Sequence, residues 1–292
     1  MCVVLVCLSN FQEYILTNIQ QLIRLGHEEI YILTNTHLFT YFNEYLHHIK
    51  LIYIENLHDN YNFLQKCNMD ASFRGGFWAL TSMRFFYIYA FMVQYQINDI
   101  IHLENDVLIY YNCDVLLNKV NKNYLYLPFD NLNRNVASIM YIPNADVFKQ
   151  VLDNYSSYET DMKNFVSIKE KTGIIQNFPI FCEENSNDKS ISFVSNNFNC
   201  FEYIFDAAAI GQYLGGIYPR NNPNFYSTGI HPINNDDYQI GFVNPDCIVK
   251  YDNYDFKWKV IDDIKRPFVI IDSLEIPIFN IHIHSKKLQN FI

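Results

Sequence analysis

Residues 100–111 read IIHLENDVLIYY and place two carboxylates between two apolar runs. A short, continuous apolar run is typical of a buried strand. A carboxylate in such surroundings is costly unless it is paired, hydrogen-bonded or bound to a metal. The stretch therefore predicts a strand, then a turn that carries Glu104, Asn105 and Asp106, and then a second short strand.

The segments before this turn alternate between strand-like and helix-like patterns. Continuous apolar runs predict the strands, and apolar residues at helical spacing predict the helices. Strands are predicted over 2–9, 29–35 and 49–56, and helices over 10–26, 37–48 and 77–96. Alternation at this spacing indicates an α/β domain with a Rossmann-like, mostly parallel sheet.

Parallel sheets of this kind bind ligands beyond the carboxyl ends of their strands. The predicted strand ends carry Ser9, Asn10, Thr34, Asn35 and Glu55. We therefore expect a ligand site at this edge, next to the carboxylate turn.

The second half of the chain predicts a mixed and loop-rich arrangement. Segment 155–200 has weak periodicity and is expected to hold helical turns and loops. The other predictions are strands over 123–129 and 136–143, a helix over 145–158, a short helix over 204–216, a loop and hairpin over 222–244, and strands over 256–261, 266–271 and 276–284. No repeat or low-complexity linker interrupts the pattern, so we expect one domain over 1–292.

Composition excludes several classes of function. The formal net charge of −10 argues against a nucleic-acid partner, because phosphate neutralisation needs clustered Lys and Arg. The first ten residues lack the basic start of a signal peptide, and Arg84 interrupts the apolar stretch 76–96. The seven cysteines form no CxxC pair, as expected of free thiols in a reducing compartment. We expect a cytoplasmic protein without an integral membrane segment.

Glu104 and Asp106 stand two residues apart, so both side chains point to one face of an extended chain. Their like charges repel, and a divalent cation with a preference for oxygen ligands, Mg²⁺ or Mn²⁺, would remove that repulsion. The alternative is that one acid caps the next turn while the other faces solvent.

A second unusual stretch is FNIHIHSKKL at 279–288. Strand alternation puts His282 and His284 on one face, and Lys286 follows directly. Imidazole is a good transition-metal ligand, and Lys is a good point charge for phosphate. The alternative is a polar outer face of a strand.

Two further residues carry open alternatives. Arg84 lies among aromatic residues and needs an acidic partner or an anion, so it either contacts a ligand or the carboxylate turn, or forms an internal salt bridge. Asp206 opens the small-residue helix FDAAAIGQ, where it either acts on a ligand or caps the helix. Arg74, flanked by glycine, is a weaker candidate.

An apolar strand, an acid-x-Asp turn and a second apolar strand together are similar to the DxD motif of nucleotide-sugar-dependent glycosyltransferases of the GT-A fold. This sequence has Glu104 where the motif has Asp. The order of the aromatic helix, the turn, FDAAAIGQ and HIHSK extends the resemblance over most of the chain. It also resembles glycosyltransferases of bacteria and large DNA viruses, which implies host cytoplasm if the source is viral.

The resemblance implies a GT-A-like domain with a nucleotide-binding half at 1–120 and an acceptor-side half at 121–292. It implies Mn²⁺ or Mg²⁺ held by Glu104, Asp106 and a C-terminal histidine, His282 or His284, with His284 favoured as the nearer to a loop. Asp206 is implied as the catalytic base of an inverting transfer, or as a sugar-positioning residue. The implied nucleotide-sugar-binding residues are Ser9, Asn10, Asn35, Thr81, Arg84, Asn105, Gln212 and Lys286.

The predicted function is transfer of a sugar, from UDP by preference, to a glycan, a protein or another hydroxyl acceptor. Two alternatives stay open. One is a sugar-phosphate nucleotidyltransferase, although no Gly-rich basic loop follows the first strand. The other is a non-catalytic glycan-binding protein of the same fold.

Overall fold

A mixed sheet of eight strands organises the computed structural model, which describes residues 1–70, 72, 75–216 and 244–292. Its first part is parallel, in the order β3-β2-β1-β4. These strands are β1 (Cys2–Cys7), β2 (Ile30–Thr34), β3 (Ile49–Tyr53) and β4 (Ile100–Leu103). The predicted α/β class with a mostly parallel N-terminal sheet is thus confirmed.

The sheet continues with strands of mixed direction. These are β6 (Leu125–Asn131), β7 (Arg134–Asn135), β8 (Ile139–Ile142) and β9 (Ile175–Phe178). β8 runs antiparallel to both β4 and β6, whereas β9 adds to β6 in the parallel sense. Outside this sheet, β5 (Val107–Ile109) pairs antiparallel with β13 (Asn280–His282). An antiparallel sheet holds β10 (Asp255–Ile261), β11 (Ile264–Ile271) and β12 (Leu274–Pro277).

Helices cover both faces of the sheet. Because alternate residues of a strand point to opposite faces, each strand contributes to two separate cores. Val3 and Leu5 of β1 pack in one core with α1 (Tyr14–Arg24), whereas Val4 packs in a second core with α3 (Phe77–Tyr95). The helices are α1 (Tyr14–Arg24), α2 (Phe63–Lys66), α3 (Phe77–Tyr95), α4 (Ala145–Leu152), α5 (Asp161–Thr172), α6 (Lys189–Val194), α7 (Phe198–Phe201) and α8 (Ile210–Gly215). Gly26 follows α1 with φ 77°, the left-handed conformation expected at a helix end.

Several predicted elements differ in the structure. The predicted short helix 204–216 is α8, which covers only Ile210–Gly215, because Asp206 and the alanines that follow it form a turn before the helix. The predicted helix 37–48 is a 3₁₀ helix over Thr36–Tyr45, where many aromatic and β-branched residues disfavour an α-helix. The predicted strand 276–284 is divided between β12 and β13. Strand β9 lies inside 155–200, where its short IQNF sequence gave no clear periodic signal. Further 3₁₀ turns occur at Ile54–Asn56, Cys113–Leu116, Tyr251–Asn253 and Leu288–Phe291.

Helix α3 is a buried helix of the domain, as predicted, with Phe85, Ile88 and Phe91 fully enclosed. Among the described residues, no helix combines the length and the apolar character that a membrane crossing requires. Arg74 and residues 222–243 of the predicted loop and hairpin, 222–244, lie outside the described residues.

Candidate metal centre

The carboxylate turn lies between the end of β4 and the start of β5 and is held from several sides. The Glu104 amide donates to Ser138 O at 2.9 Å, next to β8, and Val107 N donates back to Glu104 O at 3.0 Å. The Asn18 side chain of α1 donates to Val107 O at 2.8 Å. Asn105 Nδ2 in turn donates to Val6 O of β1 at 2.8 Å. The turn is therefore fixed to β1, α1 and β8 by backbone and amide contacts.

Pairing of β13 with β5 brings a histidine to this turn. The register places His282 opposite Val107, and Ile283 N donates to Asp106 O at 2.8 Å. As a result, His282 Nε2 lies 3.1 Å from Asp106 Oδ2 and 3.4 Å from Glu104 Oε2. The potential ligand atoms of Glu104, Asp106 and His282 all lie within 4.8 Å of one another.

The opposite charges of this cluster stabilise one another. Burial acts to raise the pKa of the Asp106 carboxyl, but Lys286 and His282 hold it well below its usual range. Burial acts to lower the pKa of His282, but the carboxylates of Asp106 and Glu104 raise it overall. The Lys286 ammonium directly contacts Asp106 Oδ2. Asp106 is thus an ionised carboxylate that already has two cationic or hydrogen-bonding partners.

Arg84 joins the turn to the helix α5. Its guanidinium donates to Glu104 Oε1 and, at 3.1 Å, to Asp161 Oδ2, and its side chain is only 9% exposed. Burial acts to lower the pKa of Arg84, but Glu104 and Asp161 raise it overall. Two predicted alternatives for Arg84 therefore coincide, since its internal salt bridge includes an acid of the turn.

Asp206 is fully buried in the turn that precedes α8, next to the backbone of His282. Its Oδ1 accepts from the amides of Ala209 and Ile210, at 2.8 and 2.9 Å. Its Oδ2 accepts from the amides of Gly211 and His282, at 2.8 and 2.9 Å. Burial raises the pKa of Asp206, and these amides act in the opposite direction. The carboxylate therefore fastens α8 to β13.

Gly211 explains why α8 comes so close to β13. A Cβ atom at this position would lie 1.9 Å from His282 O, well inside contact distance. The small residues that the sequence placed near a ligand thus allow a close helix–strand contact, which supports the backbone of His282.

His284 and Gln212 lie beside the cluster. The His282 and His284 rings have centroids 4.4 Å apart, and Gln212 Nε2 lies 3.3 Å from His284 Nε2. Burial, together with His282 and Lys286, lowers the pKa of His284 well below its usual range. The group of potential ligand atoms includes His282 and does not include His284.

The strand-end residues form a separate network. Ser9 N donates to Asn35 Oδ1 at 2.8 Å, and Asn35 Nδ2 donates to Glu55 Oε1 at 2.9 Å. Asn10 N donates to Leu8 O at 2.7 Å. Thr81 lies apart from this network, in α3, where its Oγ1 donates to Trp78 O at 3.0 Å. The carboxyl ends of β1, β2 and β3 therefore meet, as predicted for a parallel sheet.

Sequence reasoning missed Asn18 and Asp161. Asn18 falls on the apolar stripe of α1 between Ile15 and Leu22, and a polar residue at such a position was the available signal. Asp161 gave no local signal, because its contact with Arg84 crosses 77 positions.

The donor set suits a divalent cation. Two carboxylates and one imidazole provide oxygen and nitrogen ligands. Mn²⁺ accepts both kinds, whereas Mg²⁺ prefers the oxygen ligands. His282 directs Nε2 at the carboxylates, while its buried Nδ1 has no hydrogen-bond partner among the described residues.

Comparison with known proteins gives matches only at the level of solved structures. No protein-family model matches the chain, and no curated protein matches it. The glycosyltransferase GlyE from Streptococcus pneumoniae TIGR4 is similar, with 15% identity over 63% of this chain and 46% of that one, at a TM-score of 0.40. The bifunctional glycosyltransferase WbbM has 13% identity over 69% of this chain and 43% of that one, at a TM-score of 0.38.

A cytidylyltransferase from Leptospira borgpetersenii is also similar, with 9% identity over 65% of this chain and 77% of that one, at a TM-score of 0.38. The chain spans less than half the length of GlyE and WbbM. Glycosyltransferases and a nucleotidyltransferase are thus both among the similar structures.

Proposed function

We propose that this chain is a metal-dependent glycosyltransferase that moves a sugar from a nucleotide-sugar donor, a UDP-sugar by preference, to a hydroxyl acceptor. One observation carries the proposal: Glu104, Asp106 and His282 converge within 4.8 Å beyond the carboxyl end of β4. That edge is where α/β sheets place their ligands. The acid-x-Asp turn with a C-terminal histidine strand is also what the sequence resemblance implies.

Glu104, Asp106 and His282 would hold Mn²⁺ or Mg²⁺. When bound, the ion neutralises charge on the diphosphate leaving group. Arg84 holds one oxygen of Glu104, so that the other oxygen faces His282. Asn18 and Asn105 hold the backbone of the turn, which keeps the two carboxylates on one side.

The remaining roles follow the two proposed halves of the chain. In the nucleotide-binding half, 1–120, Ser9, Asn10 and Asn35 at the strand ends would contact the nucleotide. In the acceptor-side half, 121–292, Gln212 would contact the sugar and Lys286 the diphosphate. A glycan or a protein hydroxyl would be the acceptor.

For Asp206 the geometry favours a positioning role over the role of a base. A carboxylate with four backbone donors and no exposure has no free oxygen to accept a proton from an acceptor hydroxyl. Asp206 instead holds the His282 backbone amide, and through it the orientation of a proposed metal ligand.

The proposal is tested by thermal unfolding with UDP-, GDP- and CMP-sugars, each with and without Mn²⁺. One nucleotide class is expected to raise Tm by about 3 °C or more, only when Mn²⁺ is present. Asp106→Asn should remove this shift. The exposed Asp252→Asn serves as the matched control and should retain it.

Product analysis then separates the alternatives. Release of a nucleoside diphosphate from a nucleotide-sugar supports sugar transfer. Release of pyrophosphate from a nucleoside triphosphate and a sugar phosphate would instead identify a nucleotidyltransferase. Absence of any Mn²⁺-dependent shift would contradict the proposal and favour a non-catalytic glycan-binding protein.

A further inference from the structure

Lys286 places its ammonium group inside the proposed metal centre. Nζ contacts Asp106 Oδ2, the same oxygen that lies 3.1 Å from His282 Nε2. The backbone is arranged for this contact, since Lys286 has a left-handed φ of 65° and its amide donates to Ile283 O at 3.0 Å. A lysine cation therefore stands where a ligand of Asp106 Oδ2 would stand.

The two carboxylates of the turn are each paired with a cation of the chain. Arg84 pairs with Glu104, and Lys286 pairs with Asp106. Like charges in contact repel strongly where solvent is excluded. A divalent cation bound to Asp106 Oδ2 would lie directly beside the Lys286 ammonium. The ion and the ammonium therefore compete for this oxygen.

Lys286 is the cation that can leave. Its side chain is 27% exposed, whereas that of Arg84 is 9% exposed and bridges two carboxylates. Lysine carries a point charge on a flexible four-carbon stem, so its ammonium can move while its backbone stays. The Tyr14 ring, whose centroid lies 5.5 Å from Nζ, offers a neighbouring surface for the displaced cation.

We infer that Lys286 is an internal substitute for the divalent ion, and that ion binding displaces its ammonium from Asp106. The displaced ammonium then becomes available to an anionic group of the donor. Divalent ion and nucleoside diphosphate therefore favour each other's binding through Lys286, in addition to any direct contact between them. The inference rests on the metal site of the proposed function.

The test is Mn²⁺ titration of the intact protein without nucleotide, followed by isothermal calorimetry or by electron paramagnetic resonance of free Mn²⁺. Lys286→Met is expected to bind Mn²⁺ at least about tenfold more tightly than the wild type, because the Lys286 ammonium no longer competes for Asp106. Lys287→Met removes the same charge from the exposed neighbouring residue and should stay within about twofold of the wild type.

A second titration adds UDP at saturating concentration. In the wild type, UDP should tighten Mn²⁺ binding, and in Lys286→Met the gain should be smaller. Lys286→Gln keeps a hydrogen-bond donor near Asp106 without the charge, and it serves as the second variant if Lys286→Met does not fold. It too should bind Mn²⁺ more tightly than the wild type.

Equal Mn²⁺ affinity in the wild type and both Lys286 variants would overturn the inference and leave the metal site of the proposed function intact. An equal increase in Mn²⁺ affinity in Lys287→Met and Lys286→Met would also overturn the inference, since the effect would then come from net charge. Absence of Mn²⁺ binding in every variant would overturn both the inference and the proposed metal site.

Discussion

His282 Nε2 lies 3.1 Å from Asp106 Oδ2, although the two residues stand 176 positions apart in the chain. The contact follows from the pairing of β13 with β5, which places His282 opposite Val107, the residue after Asp106. The cluster is therefore complete only when the C-terminal segment has added to the carboxylate turn.

His282, which ends β13, and His284, which follows the strand, are expected to differ in function. His282→Gln should weaken Mn²⁺ binding by about tenfold or more, equivalent to about 1.4 kcal/mol, because it removes a ligand. His284→Gln is the matched control and should stay within about threefold of the wild type, because His284 lies outside the ligand group. Mn²⁺ titration measures both. A larger loss in His284→Gln than in His282→Gln would refute this assignment.

The ion pairs of Arg84 with Glu104 and Asp161 should make a large contribution to the free energy of unfolding. Arg84→Met leaves Glu104 and Asp161 without their common partner, and loss of one member of a buried ion pair costs about 3–5 kcal/mol. Urea unfolding measures this loss. Asp161→Asn combined with Arg84→Met should cost less than the sum of the two single changes, because the residues interact directly. Strictly additive losses would mean that the buried contact contributes little.

Gly211 should tolerate no side chain. Gly211→Ala places a methyl group against His282 O, a backbone atom that cannot rotate away, so we expect a loss of about 2 kcal/mol or more. The shift of His282 should also weaken Mn²⁺ binding. Gly215→Ala is the comparison, because its Cβ would meet the Phe291 ring at 2.9 Å, and a side chain can adjust. Urea unfolding should show the smaller loss for Gly215→Ala, with Mn²⁺ affinity unchanged. The reverse order would show that α8 is free to move.

Sequence patterns predicted the elements whose signals are local. The apolar runs of β1 to β4 and the helical spacing of α1 depend on neighbouring residues only, and these elements form where expected. The turn at Glu104 and Asp106 was also predictable, because a carboxylate between two apolar runs needs a partner. The site edge followed from the parallel strand order.

Contacts between distant segments could not be predicted in the same way. No local pattern indicates that Asp161 meets Arg84, or that Asp206 accepts from the amide of His282. The sequence also did not indicate the register of β13 against β5, which places His282 opposite Val107 and beside Asp106. Register depends on the packing of whole elements, and a single sequence carries little information on it.

Two buried histidines should make stability fall with pH below neutrality. Burial lowers the pKa of His27 to about 4 and, with a further contribution from Arg84, that of His102 to about 3. An unfolded histidine titrates near pH 6.5, so the unfolded state binds protons first as pH falls. The stabilisation is thus complete above about pH 6.5 and is lost between about pH 6.5 and 4 for His27 and between about pH 6.5 and 3 for His102. Each histidine should contribute about 1.4 kcal/mol per pH unit in this window.

The measurement is urea unfolding at pH 7, 6, 5 and 4.5 for the wild type, His27→Gln, His102→Gln and the double variant. Each single change should reduce the pH slope by about 1.4 kcal/mol per unit, and the double change by about twice that amount. Other titrating groups, such as Asp106, contribute equally to all four proteins and cancel in the comparison. If all four proteins kept the wild-type slope, the two imidazoles would have to be protonated in the folded state, which their burial opposes.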